Sequence, residues 1–473
     1  MRKRSIAVMG WTLWDGRGKT PNGAAVVTYE LTKRLSKYFD CDMIFETSDR
    51  EKAGKIEDTS EGFRRRFILR KGKPWLLDEE FLRDYDMIHI WGPSPIFTYR
   101  AFTRLMLPHC YTLHSAASMM NWIGLASAFY VPEYDLITLG SKCLADALNR
   151  FWDAPVEIIP YGVDIDFFRP MDKNDCRERL KIPSDSIVLG YLGRISKLDI
   201  DLAYDTLRRV KKRLRREDVI FVAAGGRRKI NPVHVKEDFI YLGYLEHHEL
   251  PLFLNSCDIF FNPTVGAREG FGLTVIEAMS CGLPIVTASW NGYSETVSPD
   301  TGFRARTCWK DGDVWINQED LVSACTELIR NEDLREEMGK KARRRVEESY
   351  CWERCVEKYH LSFLNLMRRA PPEKFQSRLR PDAITIRMKG KEISISVKEA
   401  LRNPEAFKAD FEGLHKGFVS DSRIKGGGWR RVNCIDNILN LPKYSSNMKK
   451  ALENLGSQIN SRFPLLVKAL REA

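Results

Sequence analysis

Short apolar runs alternate with amphipathic stretches along roughly the first 350 residues of the chain. The run Ser5–Gly10 predicts a buried strand. After a glycine-bearing loop, apolar residues at helical spacing predict a helix over about Ala24–Tyr38, with Val27, Leu31 and Leu35 on one face. Further strands are predicted at Met87–Trp91 and Cys110–His114. This alternation is typical of a doubly wound parallel sheet.

The same rhythm then starts again after a linker. The segment Val156–Pro170 predicts a strand that continues into a linker, and Ile187–Arg194 predicts a strand that ends in a glycine turn. The strands predicted after it are Val219–Gly225, Ile240–Gly243, Ile259–Phe261 and Pro284–Ala288. Two consecutive α/β units predict two facing Rossmann-like domains, residues 1–168 and 169–351. Ligands are expected in the cleft between them, beyond the carboxyl ends of the strands.

The pattern changes after Met367. Strict alternation in residues 384–388 and 393–397, around Lys389–Lys391, predicts a β-hairpin. Helical stretches follow, interrupted by Gly426–Gly428. Residues 371–473 are therefore predicted to form a separate α+β accessory region, whose role the sequence leaves open.

The net charge of +11 is concentrated in that last region, which carries 20 Lys+Arg against 11 Asp+Glu. Such a basic region suits an anionic membrane surface or nucleic acid, and a solvated face is the commoner explanation. The basic start of the chain is followed by an apolar stretch too short for a signal peptide, and no apolar stretch approaches the roughly 18 residues of a membrane span. We therefore expect a cytoplasmic protein, with a peripheral location at the inner face of the cell membrane left open.

The most informative stretch is Arg268–Thr287, which predicts a glycine loop, a short helix, a second turn and a buried strand. If the helix begins near Gly272, Glu277 lies about 7.5 Å inside it and Glu269 lies in the loop before it. Two carboxylates would then face one cleft at different depths, where they can accept hydrogen bonds from sugar or ribose hydroxyls. The amides at the start of the helix can hold an anion such as a diphosphate.

This stretch resembles glycosyltransferase family 4, the retaining GT-B enzymes. The family pattern is two glutamates separated by seven residues, within roughly E-G-F-G-x-x-x-x-E-A-M-A-x-G-x-P-V-V, and residues 269–286 match it at nearly every position. The resemblance implies that Glu269 contacts the hydroxyls of the donor sugar and Glu277 the ribose. It also implies that the amides of Phe271, Gly272 and Leu273 contact the sugar and phosphates.

Five other motifs fall in the family's order, among them Tyr85–Trp91, which resembles the family's D-x-x-H-x strand, so the resemblance extends over about residues 3–368. Pro21–Ala25 is similar to the glycine loop near the donor phosphates, which implies a donor contact at Gly23. Thr112–His114 is similar to the strand end whose histidine meets the transferred sugar. Pro160–Pro170 resembles the inter-domain motif, and Cys351–Arg354 resembles the start of a closing helix, about 352–368, that packs back on the first domain.

One position departs from the family. The family pairs an arginine with a lysine five residues later, and both contact the β-phosphate. Arg194 fits, but Asp199 occupies the lysine position, and Lys197 is the candidate to replace it. The expected catalytic set is therefore His114, Arg194, Lys197 and Glu269.

The resemblance implies transfer with retention of configuration from a nucleotide-diphosphate sugar, a UDP-sugar or GDP-mannose. The Asp-x-Asp pair Asp164–Asp166 is already assigned to the inter-domain motif, and neither a metal nor a cofactor is expected, the nucleotide sugar being a substrate. The expected acceptor is lipid-linked or a glycan, suggested by the basic and aromatic segment Phe63–Trp75 and the apolar segment Met119–Ile123.

Two alternatives remain open. The acidic Asp199 beside a diphosphate would suit a catalytically lapsed GT-B protein that acts as a binding or scaffold partner. The basic C-terminal region, with Trp429, Arg430 and Arg431 beside three glycines, would suit a glycosyltransferase that acts on nucleic acid or is tethered to it.

Overall fold

The computed structural model describes the greater part of the chain. The described residues are 3–10, 13–14, 23–69, 82–91, 107–115, 133–149, 155–226, 229–266, 269–311, 313–371, 383–388, 391–396, 417–420 and 426–432. The apolar segment predicted at Met119–Ile123 lies outside them, as does the part of Phe63–Trp75 beyond residue 69.

The first domain contains an eight-stranded sheet in the order β3-β4-β2-β1-β5-β6-β7-β8. All neighbouring strands are parallel except β3 and β4. The central strands are buried along their whole length, as expected for a parallel sheet covered on both faces. The strands are β1 Ser5–Gly10, β2 Asp40–Thr47, β3 Ile56–Asp58, β4 Arg64–Leu69, β5 Met87–Trp91, β6 His109–Leu113, β7 Leu136–Leu139 and β8 Val156–Ile158.

Two helices of this domain are described, α1 Gly23–Leu35 and α2 Lys142–Asn149. Val27, Leu31 and Leu35 of α1 are each 1% exposed, as the helical spacing predicted. The helix ends at Leu35, before the predicted limit at Tyr38, which is exposed.

The second domain contains a seven-stranded sheet in the order β11-β12-β10-β9-β13-β14-β15, parallel except between β11 and β12. In both sheets the chain runs outward from the first strand and then reverses to its other side, the Rossmann arrangement. The prediction of two Rossmann-like units is confirmed. The strands are β9 Ile187–Leu192, β10 Val219–Ala224, β11 Lys229–Lys236, β12 Phe239–Gly243, β13 Ile259–Asn262, β14 Ile285–Ala288 and β15 Gly302–Ala305.

Seven α-helices and two one-turn 3₁₀ helices are described in this second part of the chain. The 3₁₀ helices are Ile195–Lys197 and His247–Glu249. The α-helices are α3 Lys173–Leu180, α4 Ile200–Leu214, α5 Leu250–Asn255, α6 Leu273–Ser280, α7 Tyr293–Thr296, α8 Gln318–Arg330 and α9 Glu332–Ser349.

Helix α10, Trp352–Leu366, returns to the first domain. Its Tyr359 hydroxyl lies 3.3 Å from Oγ1 of Thr112 and 3.2 Å from Oγ1 of Thr138, beneath the first sheet. At its start, a Cβ on Gly162 would lie 2.7 Å from Cα of Trp352. The two backbones meet there because residue 162 has no side chain.

Parts of the C-terminal region are built into the second domain. Strand β20, Trp429–Arg431, pairs with β17, Asp313–Asn317, which also pairs with β16, Thr307–Lys310. Residues 417–420, here called the clasp, place Phe418 against Trp290, with ring centroids 5.5 Å apart and both side chains buried. Strands β16, β17 and β20 thus form a three-stranded sheet of their own, so the region predicted to be separate, 371–473, contributes one strand and the clasp to the second domain.

The hairpin predicted in the C-terminal region is present. Strands β18, Ala383–Met388, and β19, Lys391–Ser396, pair in an antiparallel register with Ile384 opposite Ile395. Within the described ranges, no helix combines the length and apolar character needed to cross a bilayer.

We expect Phe418→Ala to lower the free energy of unfolding by about 3 kcal/mol, because it leaves a cavity against Trp290 in the second domain. Val419→Ala is the matched control, since Val419 is only partly buried and should cost less than about 1 kcal/mol. Urea unfolding of the full chain measures both. Equal small losses would show that the clasp is not seated on the second domain.

Candidate functional site

The residues singled out from the sequence lie where the two sheets reverse their strand order. Arg194 and Lys197 follow β9, and Glu269 and Leu273 follow its neighbour β13. Because β9 and β13 are parallel, their carboxyl ends meet at one edge of the second sheet. The crevice beyond such an edge is where Rossmann-like folds bind ligands.

Lys197 and Glu269 form an ion pair at this edge. Nζ of Lys197 lies 2.7 Å from Oε2 of Glu269, and the two side chains are 18% and 20% exposed. Lys197 belongs to the 3₁₀ turn after β9. Glu269 lies between β13 and α6, and the described residues of this connection, 263–266 and 269–272, are here called the Glu269 loop. The structure therefore brings together two of the four residues predicted to be catalytic.

Asp199 has a structural role in this turn. It is the N-cap of α4, and its Oδ1 accepts a hydrogen bond of 2.9 Å from the backbone N–H of Leu202. Aspartate is among the preferred N-cap residues, and here its side chain is only 5% exposed. The carboxylate is thus directed to the start of α4, and Lys197 is the residue of this turn that contacts Glu269.

Arg194 begins the same 3₁₀ turn, three residues before Lys197. Its residue is exposed, and its backbone carbonyl accepts a hydrogen bond of 3.1 Å from the Tyr191 hydroxyl. The turn that carries both cations is therefore anchored through its backbone to β9, while the Arg194 side chain faces solvent.

Gly272 sets the geometry at the start of α6. Its φ of +92° lies in the left-handed region, and a Cβ on it would lie 2.3 Å from the ring of Tyr293. Only glycine satisfies both conditions. The preceding Phe271 is buried, with its ring 5.1 Å from that of Tyr161. Helix α6 begins directly after this turn, and its first amides have no acceptor within the helix.

The start of α1 in the first domain meets the start of α6 in the second. A Cβ on Gly23 would lie 2.9 Å from Cδ1 of Leu273, so these two predicted donor-binding residues are in contact across the cleft. Each helix N-terminus carries a partial positive charge of about half a unit. Two such termini facing one cleft favour an anion with more than one negative charge.

Glu277 lies one turn inside α6 and is electrostatically different from Glu269. Burial raises the pKa of its carboxyl to about 7. Among the described residues, no side chain forms an ion pair or hydrogen bond with it. The two carboxylates predicted from the sequence thus differ: one is paired with a lysine, and the other is desolvated and unpaired.

His114 follows β6 in the first domain and stacks on Trp91, with ring centroids 5.5 Å apart. Burial lowers its pKa to about 4, so its imidazole is neutral at pH 7. Its Nδ1 is buried and has no hydrogen-bond partner in the described part of the chain. Its backbone oxygen faces Gly270 of the Glu269 loop, where a Cβ would lie only 1.8 Å away.

Two further residues, which the sequence analysis did not identify, fix the Glu269 loop. Asn291 donates a hydrogen bond of 2.7 Å from Nδ2 to the backbone oxygen of Glu269. Ser141, in the first domain, has its Oγ 3.4 Å from the backbone oxygen of Gly270. The one sequence signal for Asn291 is the Asn-Gly pair it forms with Gly292, which favours a turn, and its φ of +43° agrees with that.

Two basic residues in the described part of the C-terminal region, Arg430 and Arg431, have acidic partners within the fold. Arg431 pairs with Asp313 at 2.8 Å, and Arg430 lies 3.6 Å from Asp205. The Arg306 guanidinium lies 5.9 Å from the centre of the Trp429 ring. This strand therefore contributes to the edge of the second domain. In the part of the chain that is described, no group of three or more His, Cys, Asp or Glu side chains is arranged to hold a metal ion.

This site and fold define a two-domain protein whose Rossmann-like units face each other across a cleft lined by Lys197, Glu269 and two helix N-termini. Residues 21–167 match the family model for Glycosyltransferase Family 4, and residues 172–345 match that for glycosyl transferases group 1. The two matches together span most of the first 345 residues. The chain belongs to glycosyltransferase family 4, whose members have the GT-B fold.

Solved structures agree with this fold. Sucrose-phosphate synthase from Thermosynechococcus elongatus superposes with a TM-score of 0.61 at 17% identity, covering 78% of this chain and 100% of that one. HepE from Anabaena, in complex with UDP and glucose, superposes with a TM-score of 0.55 at 15% identity, covering 76% and 100%.

Curated relatives match over a shorter length. D-inositol 3-phosphate glycosyltransferase from Stackebrandtia nassauensis is 29% identical over 249 residues, which is 45% of this chain and 55% of the relative. The protein of the same name from Mycobacterium tuberculosis is 27% identical over 244 residues, covering 45% and 49%. The chain thus spans about half the length of the curated relatives it matches.

If Asp199 serves as a helix cap, asparagine at the same position should cap the helix equally well. We expect Asp199→Asn to leave the free energy of unfolding within about 0.5 kcal/mol, because asparagine caps equally well, and Asp199→Ala to lower it by about 1 kcal/mol. Urea unfolding compares them, with the exposed Asp201→Ala in the same first turn as control. Equal losses for the asparagine and alanine variants would contradict the cap.

The raised pKa of Glu277 predicts a pH dependence of stability. The unfolded chain releases this proton near pH 4.3, whereas the folded protein keeps it to about pH 7. The folded protein therefore loses stability as the pH rises between these values. The Glu277→Gln variant lacks this loss, because glutamine does not titrate. We expect the variant to gain up to about 3 kcal/mol relative to the unaltered chain over this range.

Urea unfolding at pH 5 and pH 8 measures this difference. Glu336→Gln, on the exposed face of α9, is the control and should follow the unaltered chain at both pH values. Parallel behaviour of Glu277→Gln and Glu336→Gln would exclude a buried, late-titrating carboxyl at residue 277.

Proposed function

We propose that the chain is a retaining glycosyltransferase that transfers a sugar from a nucleotide-diphosphate sugar to a lipid-linked or glycan acceptor without a metal ion. One observation carries this proposal: the N-termini of α1 and α6 meet at Gly23 and Leu273, beside the ion pair of Lys197 with Glu269. Two helix termini and a lysine at one crevice suit a diphosphate.

The departing nucleoside diphosphate needs positive charge near its outer phosphate while the sugar takes on oxocarbenium character. Lys197 and the exposed Arg194 supply full charges from one turn, and the helix amides supply oriented dipoles. Preorganised groups of this kind stabilise charge that develops in the transition state without reorganising. In this proposal the acceptor hydroxyl attacks beside the departing phosphate, on the same face of the sugar, so that configuration is retained.

Glu269 and Glu277 have different roles in binding the donor. Glu269 accepts hydrogen bonds from the sugar hydroxyls, and Lys197 at 2.7 Å keeps its carboxylate oriented. Glu277 accepts hydrogen bonds from the ribose, whose two hydroxyls would satisfy a carboxyl that has no partner among the described residues. His114 is neutral and contacts the transferred sugar in this proposal.

The donor is a UDP-sugar or GDP-mannose in this proposal. The complex of HepE with UDP and glucose supports testing the uridine series first. The names of the curated relatives add a phosphorylated inositol to the acceptors to be tested. A cytoplasmic location follows from the proposal, at the inner face of the membrane when the acceptor is lipid-linked.

The alternative of an inactive scaffold was motivated by an acidic residue beside the diphosphate. Asp199 caps α4, where the N–H of Leu202 donates to its carboxylate, so this residue has a structural role that does not depend on a lapsed site. The nucleic-acid alternative was motivated by the basic C-terminal region together with Trp429–Arg431. Of these, Trp429–Arg431 contact Asp205, Asp313 and Arg306 within the fold. No observation therefore favours either one over sugar transfer.

A thermal-shift panel of uridine, guanosine and adenosine nucleotides and their sugars tests the proposal. At 100 times its dissociation constant, a ligand adds about 2.7 kcal/mol of stability. We expect one base series to stabilise the chain and the shift to be lost in Glu277→Ala. With that donor, Lys197→Ala and Glu269→Gln should lower kcat/KM by about a hundredfold, measured as released nucleotide in the presence of a chelator.

Asp199→Asn is the matched control for these variants, because it changes a charge in the same turn without removing the cap. It should keep both the thermal shift and the turnover. No shift with any nucleotide would overturn the proposal. Turnover that stops on adding the chelator would overturn its metal-independent form.

A further inference from the structure

The Glu269 loop is held at two points by one short turn of the second domain. Nε1 of Trp290 donates a hydrogen bond of 3.2 Å to the backbone oxygen of Gly266, and Nδ2 of Asn291 donates one of 2.7 Å to that of Glu269. The backbone N–H of Glu269 in turn donates to the oxygen of Gly266 at 3.0 Å. The position of Glu269 therefore depends on Trp290 and Asn291.

The turn at Trp290 and Asn291 is covered by the clasp. Phe418 packs edge to face on the Trp290 ring, and Val419 forms an antiparallel bridge with Trp290. The backbone oxygen of Phe418 accepts a hydrogen bond of 3.4 Å from the N–H of Asn291. Trp290, Asn291 and Phe418 are each no more than 2% exposed, so this contact is closed to solvent.

The clasp is fixed on both sides. Ser420 makes three hydrogen bonds with Thr307, two through its hydroxyl and one through its N–H, at 2.8–3.2 Å. On the other side, Sγ of Cys143 at the start of α2 in the first domain lies 3.7 Å from the oxygen of Gly417. Four residues thus connect the edge of the second domain, the turn behind the Glu269 loop and the first domain.

We propose that Asn291 and Phe418 are positioning residues for the reaction: the C-terminal clasp holds the Trp290–Asn291 turn, and that turn sets where Glu269 meets Lys197 and the donor sugar. The family models end at residue 345, so the clasp comes from a part of the chain beyond them. The inference rests on the proposed contact of Glu269 with the donor sugar. It assigns to the C-terminal region a direct part in forming the donor site.

A contact that positions Glu269 affects the sugar more than the nucleotide. Glu269 is proposed to bind the sugar, whereas Glu277 and the helix termini bind the nucleotide. Displacing the Glu269 loop should therefore weaken the binding of a nucleotide sugar and leave that of the free nucleotide nearly unchanged. A general loss of stability weakens the binding of both ligands, the nucleotide sugar and the free nucleotide, or of neither. The ratio of the two dissociation constants separates a positioning role from a purely structural one.

Asn291→Gly is the most direct variant, because glycine adopts the left-handed φ of residue 291. It removes the 2.7 Å hydrogen bond to the Glu269 backbone and the longer one, of 3.4 Å, from Ser141 Oγ to Asn291 Oδ1. Phe418→Ala removes the support of the clasp, and Phe418→Leu retains an apolar side chain there. Leu328→Ala, fully buried in α8, is the control for loss of stability. All four are made in the full chain and compared well below their unfolding temperatures.

The first measurement is hydrogen–deuterium exchange of the peptide that contains Glu269, which requires no ligand. We expect faster exchange of this peptide in Asn291→Gly and Phe418→Ala, recovery in Phe418→Leu, and no change in Leu328→Ala. Unchanged exchange in both of the first two variants would overturn the inference, whether or not the chain binds nucleotides.

The second measurement is calorimetric titration with UDP and UDP-glucose, and with GDP and GDP-mannose. For the pair that binds the unaltered chain, Asn291→Gly should weaken binding of the nucleotide sugar about tenfold, which is about 1.4 kcal/mol. It should weaken binding of the free nucleotide less than about twofold. Equal weakening of both would overturn the positioning role. If neither pair binds the unaltered chain, the uridine and guanosine donors named in the proposed function fail, and exchange alone decides whether the clasp holds the loop.

Discussion

Gly270 lies where the backbone of the second domain meets the carbonyl of His114 in the first, and a Cβ on it would lie 1.8 Å from that oxygen. This approach determines how near the Glu269 loop can come to the first domain. The pairing of Lys197 with Glu269 and the meeting of Gly23 with Leu273 lie at the same cleft. A side chain at residue 270 would separate the backbones and displace both contacts, so the site depends on a glycine that itself carries no chemistry.

The charge of each titratable side chain in the cleft depends on whether it has an ionic partner and on how far it is buried. Glu269 is compensated by Lys197, whereas Glu277 is desolvated and has a raised pKa. His114 is neutral because burial lowers its pKa. Positive potential comes from two helix termini and from the turn after β9, so the cleft is arranged for a ligand that combines anionic phosphates with neutral hydroxyls.

Two segments of the C-terminal region are part of the second domain, although they lie far from its Rossmann unit along the chain. Its strand β20 extends the edge of the second domain, and its clasp contacts the turn behind the Glu269 loop. These contacts are carried by segments of four and seven described residues, separated along the chain from the Rossmann units they complete. A region that the sequence set apart by charge and pattern is therefore joined to the fold by a few buried side chains, chiefly Phe418 and Val432.

Local pattern determined much of this protein: the alternation of strands and helices predicted both sheets, and the spacing around Glu269 and Glu277 predicted a loop followed by a helix. These features depend on neighbours a few residues apart, as helix periodicity and glycine turns do. The sequence could not show that Asp199 caps α4, because a cap depends on where the helix begins. Nor could it show that Asn291 and Phe418 hold the Glu269 loop, because partners separated by 22 and 127 residues become neighbours only when the sheets and the clasp are assembled.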